Sequence, residues 1–145
     1  KQVFYGLCTD DIVTNPEAPL TFEGRLLVAA GWKPGFSTDF DAVVLADRFS
    51  ARRIINLSNI KKVYTDDPKK NPDAKPLDSL SWPEFRKIVG DEWVPGKNAP
   101  FDPVASRKAA ELDLTVIIAE GRNIANMANI LDRKPFEGTV IGTGE

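Results

Sequence analysis

Two short apolar runs bracket a helix, and that order leaves the chain few folds to choose from. Residues 26–30 (Leu-Leu-Val-Ala-Ala) lead into the polar stretch Gly31-Trp32-Lys33-Pro34-Gly35-Phe36-Ser37-Thr38-Asp39. Ala42, Leu45, Ala46 and Phe49 then recur at helical spacing, with Phe40, Val43 and Val44 widening the apolar face. Residues 53–57 (Arg-Ile-Ile-Asn-Leu) form a second short apolar run. Strand, helix, strand implies a parallel pair with a right-handed crossover. The run 25–30 is nearly all apolar, as expected of a strand in a sheet covered on both faces. Ligands of such sheets sit beyond the carboxyl ends of the strands. The loops after Ala30 and after Leu57 are therefore expected at one rim.

The loop after Ala30 has two glycines and a proline, so its backbone can fold closely around a ligand. It ends in Ser37, Thr38 and Asp39, where a helix begins. Two readings fit these residues: a phosphate site at the positive end of the helix dipole, or an ordinary N-cap.

Composition narrows the chemistry. The chain has 145 residues, enough for one domain. Its net charge of −2 argues against a general nucleic-acid binder. No apolar run is long enough to span a bilayer and no signal peptide is visible, so no membrane partner is expected. Cys8 stands alone, excluding an intrachain disulfide, and the default compartment is cytoplasmic. Histidine is absent, which removes Ser-His-Asp and Cys-His schemes, imidazole bases and His metal sites from this chain. Phosphoryl transfer, which works by positioning and charge stabilisation, survives that loss.

Further along, residues 63–77 are rich in Asp, Lys and Pro and read as a solvated loop. Ser81-Trp82-Pro83-Glu84 is a capping-box pattern that predicts a helix to about Val89, ended by Gly90. Asp102-Pro103 predicts a helix to about Leu112, and residues 114–119 a β-branched strand. Asn123 caps a short helix over Ile124, Met127, Ala128 and Leu131, and residues 138–141 form a closing strand. No internal repeat or domain boundary is evident. Residues 90–98 superficially resemble a P-loop, but the glycine spacing is one residue too long and Asn98 replaces the magnesium-binding hydroxyl. Lys97 then reads as a surface lysine. The glycosylation sequon at 56–58 falls inside an expected strand and is discounted.

Residues 58–68 start at the carboxyl end of a strand. Tyr64 could stack on a base while Asn59 and Asp67 supply polar contacts; alternatively, Tyr64 covers the core edge and Asp67 opens a proline turn.

Taken together, Pro34-Gly35-Phe36-Ser37-Thr38-Asp39 and Ser58-Asn59-Ile60 with Val63-Tyr64 and Asp67-Pro68 resemble the uridylate (UMP) kinases of the amino acid kinase superfamily. The likeness continues through residues 69–75, Asp102-Pro103 with Ala105, and Gly138-Thr139. It implies a three-layer α/β/α fold with a mainly parallel central sheet, as one domain over residues 1–145. Residues 1–30 would approach the acceptor loop, 31–50 hold that loop and its helix, and 51–145 form the ATP-binding portion. The implied reaction is ATP-dependent conversion of UMP to UDP with Mg2+, in a homo-oligomer, commonly a hexamer. Residues matching Trp32, Lys33, Pro34, Gly35, Phe36, Ser37 and Thr38 would hold the acceptor. Those matching Ser58, Asn59, Tyr64 and Asp67 would hold ATP. Asp39 would lie near the transfer site, organising a lysine or magnesium rather than serving as a base, because a phosphate acceptor is already ionised.

Three departures stand beside this likeness. Lys61-Lys62 replace the family's Asp-Gly, and Trp32-Lys33 replace a small or polar pair. The superfamily's amino-terminal catalytic lysine and Gly-Gly-Gly loop do not occur here, so these residues alone are expected to be inactive. A catalytically silent nucleotide binder, or an enzyme of the same fold with another small acceptor, is the competing expectation.

Overall fold

The computed structural model describes residues 2–8, 10–92 and 99–143. Among the described residues, four α-helices form where capping residues and apolar spacing coincide. Helix α1 (Thr38–Arg48) starts at Ser37, whose hydroxyl accepts from the Phe40 N–H. Helix α2 (Trp82–Val89) carries the full capping box: Glu84 accepts from the Ser81 N–H at 2.8 Å while the Ser81 hydroxyl accepts from the Glu84 N–H. Helix α3 (Pro103–Glu111) is capped by Asp102, and α4 (Ile124–Leu131) by Asn123.

The capping box gives a direct prediction. Ser81→Ala is expected to lower stability by about 1 kcal/mol in urea denaturation at neutral pH. Hydrogen bonds from the Ser81 hydroxyl and N–H hold the Glu84 carboxyl below its ordinary pKa. A lowered pKa stabilises above the unfolded value and is lost as pH falls through the folded one. The difference between the two proteins should therefore shrink in acid; a constant difference would argue against the capping role.

The main sheet contains β1 (Arg53–Ser58), β4 (Ser79–Leu80), β5 (Thr115–Glu120) and β6 (Thr139–Ile141), in the order β1-β5-β6-β4. β1 pairs with β5, and β4 with β6, in parallel; β5 and β6 are antiparallel. The sheet is thus mainly parallel and covered on both faces. Val116 and Ile118 of β5 face a core built with Val43, Phe85, Val89 and Phe101, on the side of α1–α3. Ile117 and Ala119 point the other way, against Ile130 of α4. Burial of successive residues on opposite faces explains why β5 reads as an unbroken apolar run.

The expected strand at 25–30 is corrected. Among the described residues its one ladder contact is a single bridge between Val13 and Ala29; Leu26, Leu27 and Val28 are half-buried and Ala30 is exposed. The bridge is parallel, so residues 26–28 stand opposite 10–12, where no strand forms. β1 takes β5 as its parallel partner instead, across six paired residues. The loop expected at 63–77 is largely a loop, but a short pair, β2 (Val63–Tyr64) with β3 (Pro76–Leu77), closes its base. The glycine-rich stretch 90–98 and Lys97 lie mainly or wholly outside the described residues.

Candidate active site

The loop before α1 is organised by a turn, an aromatic row and a buried carboxylate. Phe36 N–H donates to the Lys33 carbonyl at 3.2 Å, with Pro34 and Gly35 between them and Gly35 at φ +91°. Proline followed by a residue of positive φ is the type II arrangement, and glycine meets the second requirement without steric cost. The rings of Trp32, Phe36 and Phe40 follow one another at 4.9 and 5.1 Å between centroids. Lys33 Nζ lies 3.6 Å from the Trp32 ring centroid and 4.8 Å from that of Phe36, which fixes its ammonium over the loop.

Asp41 anchors the entry to this loop. It is 4 % exposed, and its Oδ2 accepts from the Trp32 N–H at 3.0 Å. Sequence reasoning missed it because a polar residue in an apolar helical pattern normally marks the solvent face. At the loop's other end Thr38 closes on Gly31: a Cβ built on Gly31 would stand 3.9 Å from the Thr38 methyl. Ser37 spends its hydroxyl on the helix cap, as the simpler of its two readings anticipated.

Asp39 is half-buried. Its Oδ2 accepts from the Asp102 N–H at 2.9 Å, while the Asp102 carboxylate caps α3. Burial raises the Asp39 carboxyl above its ordinary pKa; the bond from Asp102 N–H opposes this, and the Asp102 charge adds to it. On the same segment, the Pro100 carbonyl accepts from Asn56 Nδ2 of β1 at 3.1 Å. Residues 100–102 therefore bind the start of α1 to the carboxyl-terminal half of β1. That anchor reaches Asp39 from the first predicted region and Asn56, which precedes the second.

Ser58 and Asn59 follow directly. The Ser58 carbonyl accepts from Gly121 N–H after β5, and its hydroxyl lies 3.4 Å from Asn59 Oδ1. Tyr64 is half-buried on the arm that leaves this rim. That arm is rooted by Thr139, whose hydroxyl accepts from the Val63 N–H and donates to the Leu77 carbonyl. Asp67 is exposed and organises its own turn, with Oδ1 accepting from Lys69 N–H. Among the described residues, no hydrogen bond joins Tyr64 or Asp67 to the loop 32–38. Lys62 pairs with Asp78, and Lys61 lies 3.6 Å from Glu137. Those partners neutralise the two lysines that depart from the family pattern.

Residues 10–120 match the family model described as the amino acid kinase family. The uridylate kinase of Methanospirillum hungatei JF-1 is 33 % identical over 132 residues, covering 90 % of this chain and 56 % of that protein. That of Pyrobaculum aerophilum is 40 % identical over 98 residues, covering 68 % and 45 %. The crystal structure of uridylate kinase from Archaeoglobus fulgidus superposes with a TM-score of 0.63 at 30 % identity, covering 82 % of this chain and 53 % of that one. UMP kinase from Bacillus anthracis, at 22 % identity and a TM-score of 0.66 over 82 % and 47 %, shares the fold. The chain spans about half the length of the curated relatives it matches. With a mainly parallel sheet between layers of helices, and a family match from residue 10 to residue 120, the chain belongs to the amino acid kinase family.

Proposed function

We propose that the protein to which these residues belong transfers phosphate from ATP to UMP, giving UDP. The observation that carries this reading is the shared anchor at 100–102, which ties Asp39 to the carboxyl-terminal half of β1 through Asn56. Similarity to proteins named uridylate kinase selects UMP among small acceptors. In this reading Trp32, Lys33, Pro34, Gly35, Phe36, Ser37 and Thr38 enclose the acceptor, and Ser58, Asn59, Tyr64 and Asp67 hold ATP. The division is of one α/β domain, with residues 51–145 as the nucleotide-binding portion.

The chemistry follows from position and charge. Lys33, held over the rings, offers a cation beside the acceptor loop, and the N–H groups opening α1 favour an anion. Mg2+ keeps waters and rides on nucleotide phosphates with one or two carboxylates. Asp39, whose Oδ2 is held by the Asp102 N–H, would be such a carboxylate. Mg2+, when bound, would neutralise charge on the transferring phosphate. No helix among the described residues is long and apolar enough to cross a membrane. A cytoplasmic homo-oligomer completes the proposal.

A coupled assay of ADP release, run with UMP, CMP, AMP and GMP as acceptors, tests the reading. UMP should be phosphorylated in preference to the others; equal rates, or none with UMP, would overturn it. Tyr64→Ala should raise the KM for ATP about tenfold while leaving that for UMP within a few-fold, as loss of one stacking aromatic predicts.

A further inference from the structure

The opposite rim of the sheet carries a second, basic cleft. β1 and β5 run parallel, so their amino ends lie roughly 17 Å from the rim of Ser58 and Gly121. There a cleft of about 700 Å3 opens between the strand starts and the end of α4. Arg52, Arg53 and Arg133 line it, with Thr143 beside them and, among the described residues, Asp113 as the one acidic residue. Ile130 and Leu131 supply an apolar wall. None of the three arginines takes part in an ion pair among the described residues.

Asp113 and Arg133 have φ of +51° and +58°, and each follows a helix next to this cleft; Ser50 follows α1 at φ +53°, so a left-handed turn is the common way these helices end. Glycine at Arg133 would keep that turn with less strain while removing the guanidinium.

We propose that this cleft is a second anion site, taking a phosphorylated small molecule of about nucleotide size. Guanidinium groups match phosphate oxygens in pairs, the volume lies within the range of small-molecule sites, and the apolar wall would cover an organic moiety. It stands apart from the proposed kinase chemistry, since it shares no residue with the opposite rim.

Arg133→Gly separates binding from folding, because glycine relieves the left-handed backbone. Inorganic tripolyphosphate is titrated calorimetrically into the protein at low salt. The Arg133→Gly variant should bind it about tenfold more weakly while melting no earlier than wild type. Arg52→Gln should also weaken binding, and Lys33→Ala, which removes the cation beside the acceptor loop, should leave it unchanged. Unaltered binding in both arginine variants, or a loss seen only with Lys33→Ala, would overturn the proposal. Binding of ATP but not tripolyphosphate to wild type would also overturn it.

Discussion

Replacing Asp39 by asparagine is expected to lower turnover by about 100-fold or more, while leaving the protein at least as stable as wild type at neutral pH. Asparagine keeps an oxygen for the Asp102 N–H, so the link from α1 to α3 survives. What it lacks is the negative charge that, in the proposed function, faces a cation at the transfer site. The two effects separate because burial raises the Asp39 carboxyl pKa, reinforced by the Asp102 charge. For a raised pKa, the associated stability is fully present below the unfolded value and disappears as pH rises through the folded value. Wild type should thus lose stability over that window relative to Asp39→Asn. Thermal melts at pH 4 and 7, beside a coupled assay for kcat, measure both. Near-normal turnover in the variant would remove Asp39 from the mechanism, and a stability loss matching the activity loss would make its role purely structural.

The largest effect on folding is expected from Gly142→Ala. Gly142 has φ +104°, and a Cβ built there would lie 2.6 Å from the Leu114 carbonyl oxygen and 3.0 Å from Trp82 Nε1. Those atoms are partners in a buried 2.9 Å hydrogen bond. The added methyl would therefore push between donor and acceptor, at the point where β5 begins and Gly142 N–H itself donates to Leu80. Backbone strain of about 1–2 kcal/mol and an orphaned buried polar pair of about 1–3 kcal/mol give an expected loss of roughly 2–5 kcal/mol. A typical domain has only about 5–15 kcal/mol to lose. Gly35→Ala is the control: its φ is +91°, but nothing lies within 4 Å of the added Cβ, so only the backbone term should appear. Urea denaturation of the two variants decides it; equal losses would show that the Trp82–Leu114 contact tolerates displacement.

Local signals in the chain were enough for every α-helix. Ser37, Ser81, Asp102 and Asn123 each cap the helix that follows, because capping depends on residues three or four positions apart. The mainly parallel sheet was also expected, through the family resemblance and a strand–helix–strand order read over residues 25–57. Pairing was not. The run 25–30 has a strand's composition, yet Val13 gives it only one bridge, while β1 joins β5 more than fifty residues away in the chain. Strand partners depend on which edges meet in space, and that information is absent from periodicity. The same holds for the site. The sequence by itself marked the loop at 32–39 and the segment at 58–67 as candidates, through residue types and order. Only the tertiary structure decided that Asp39 and Asn56 share an anchor at 100–102, that Asp41 is the buried carboxylate holding Trp32, and that three arginines gather at the far rim. Each of those contacts joins residues on different elements, or on a loop and a helix. They form only when hydrophobic burial brings the layers together.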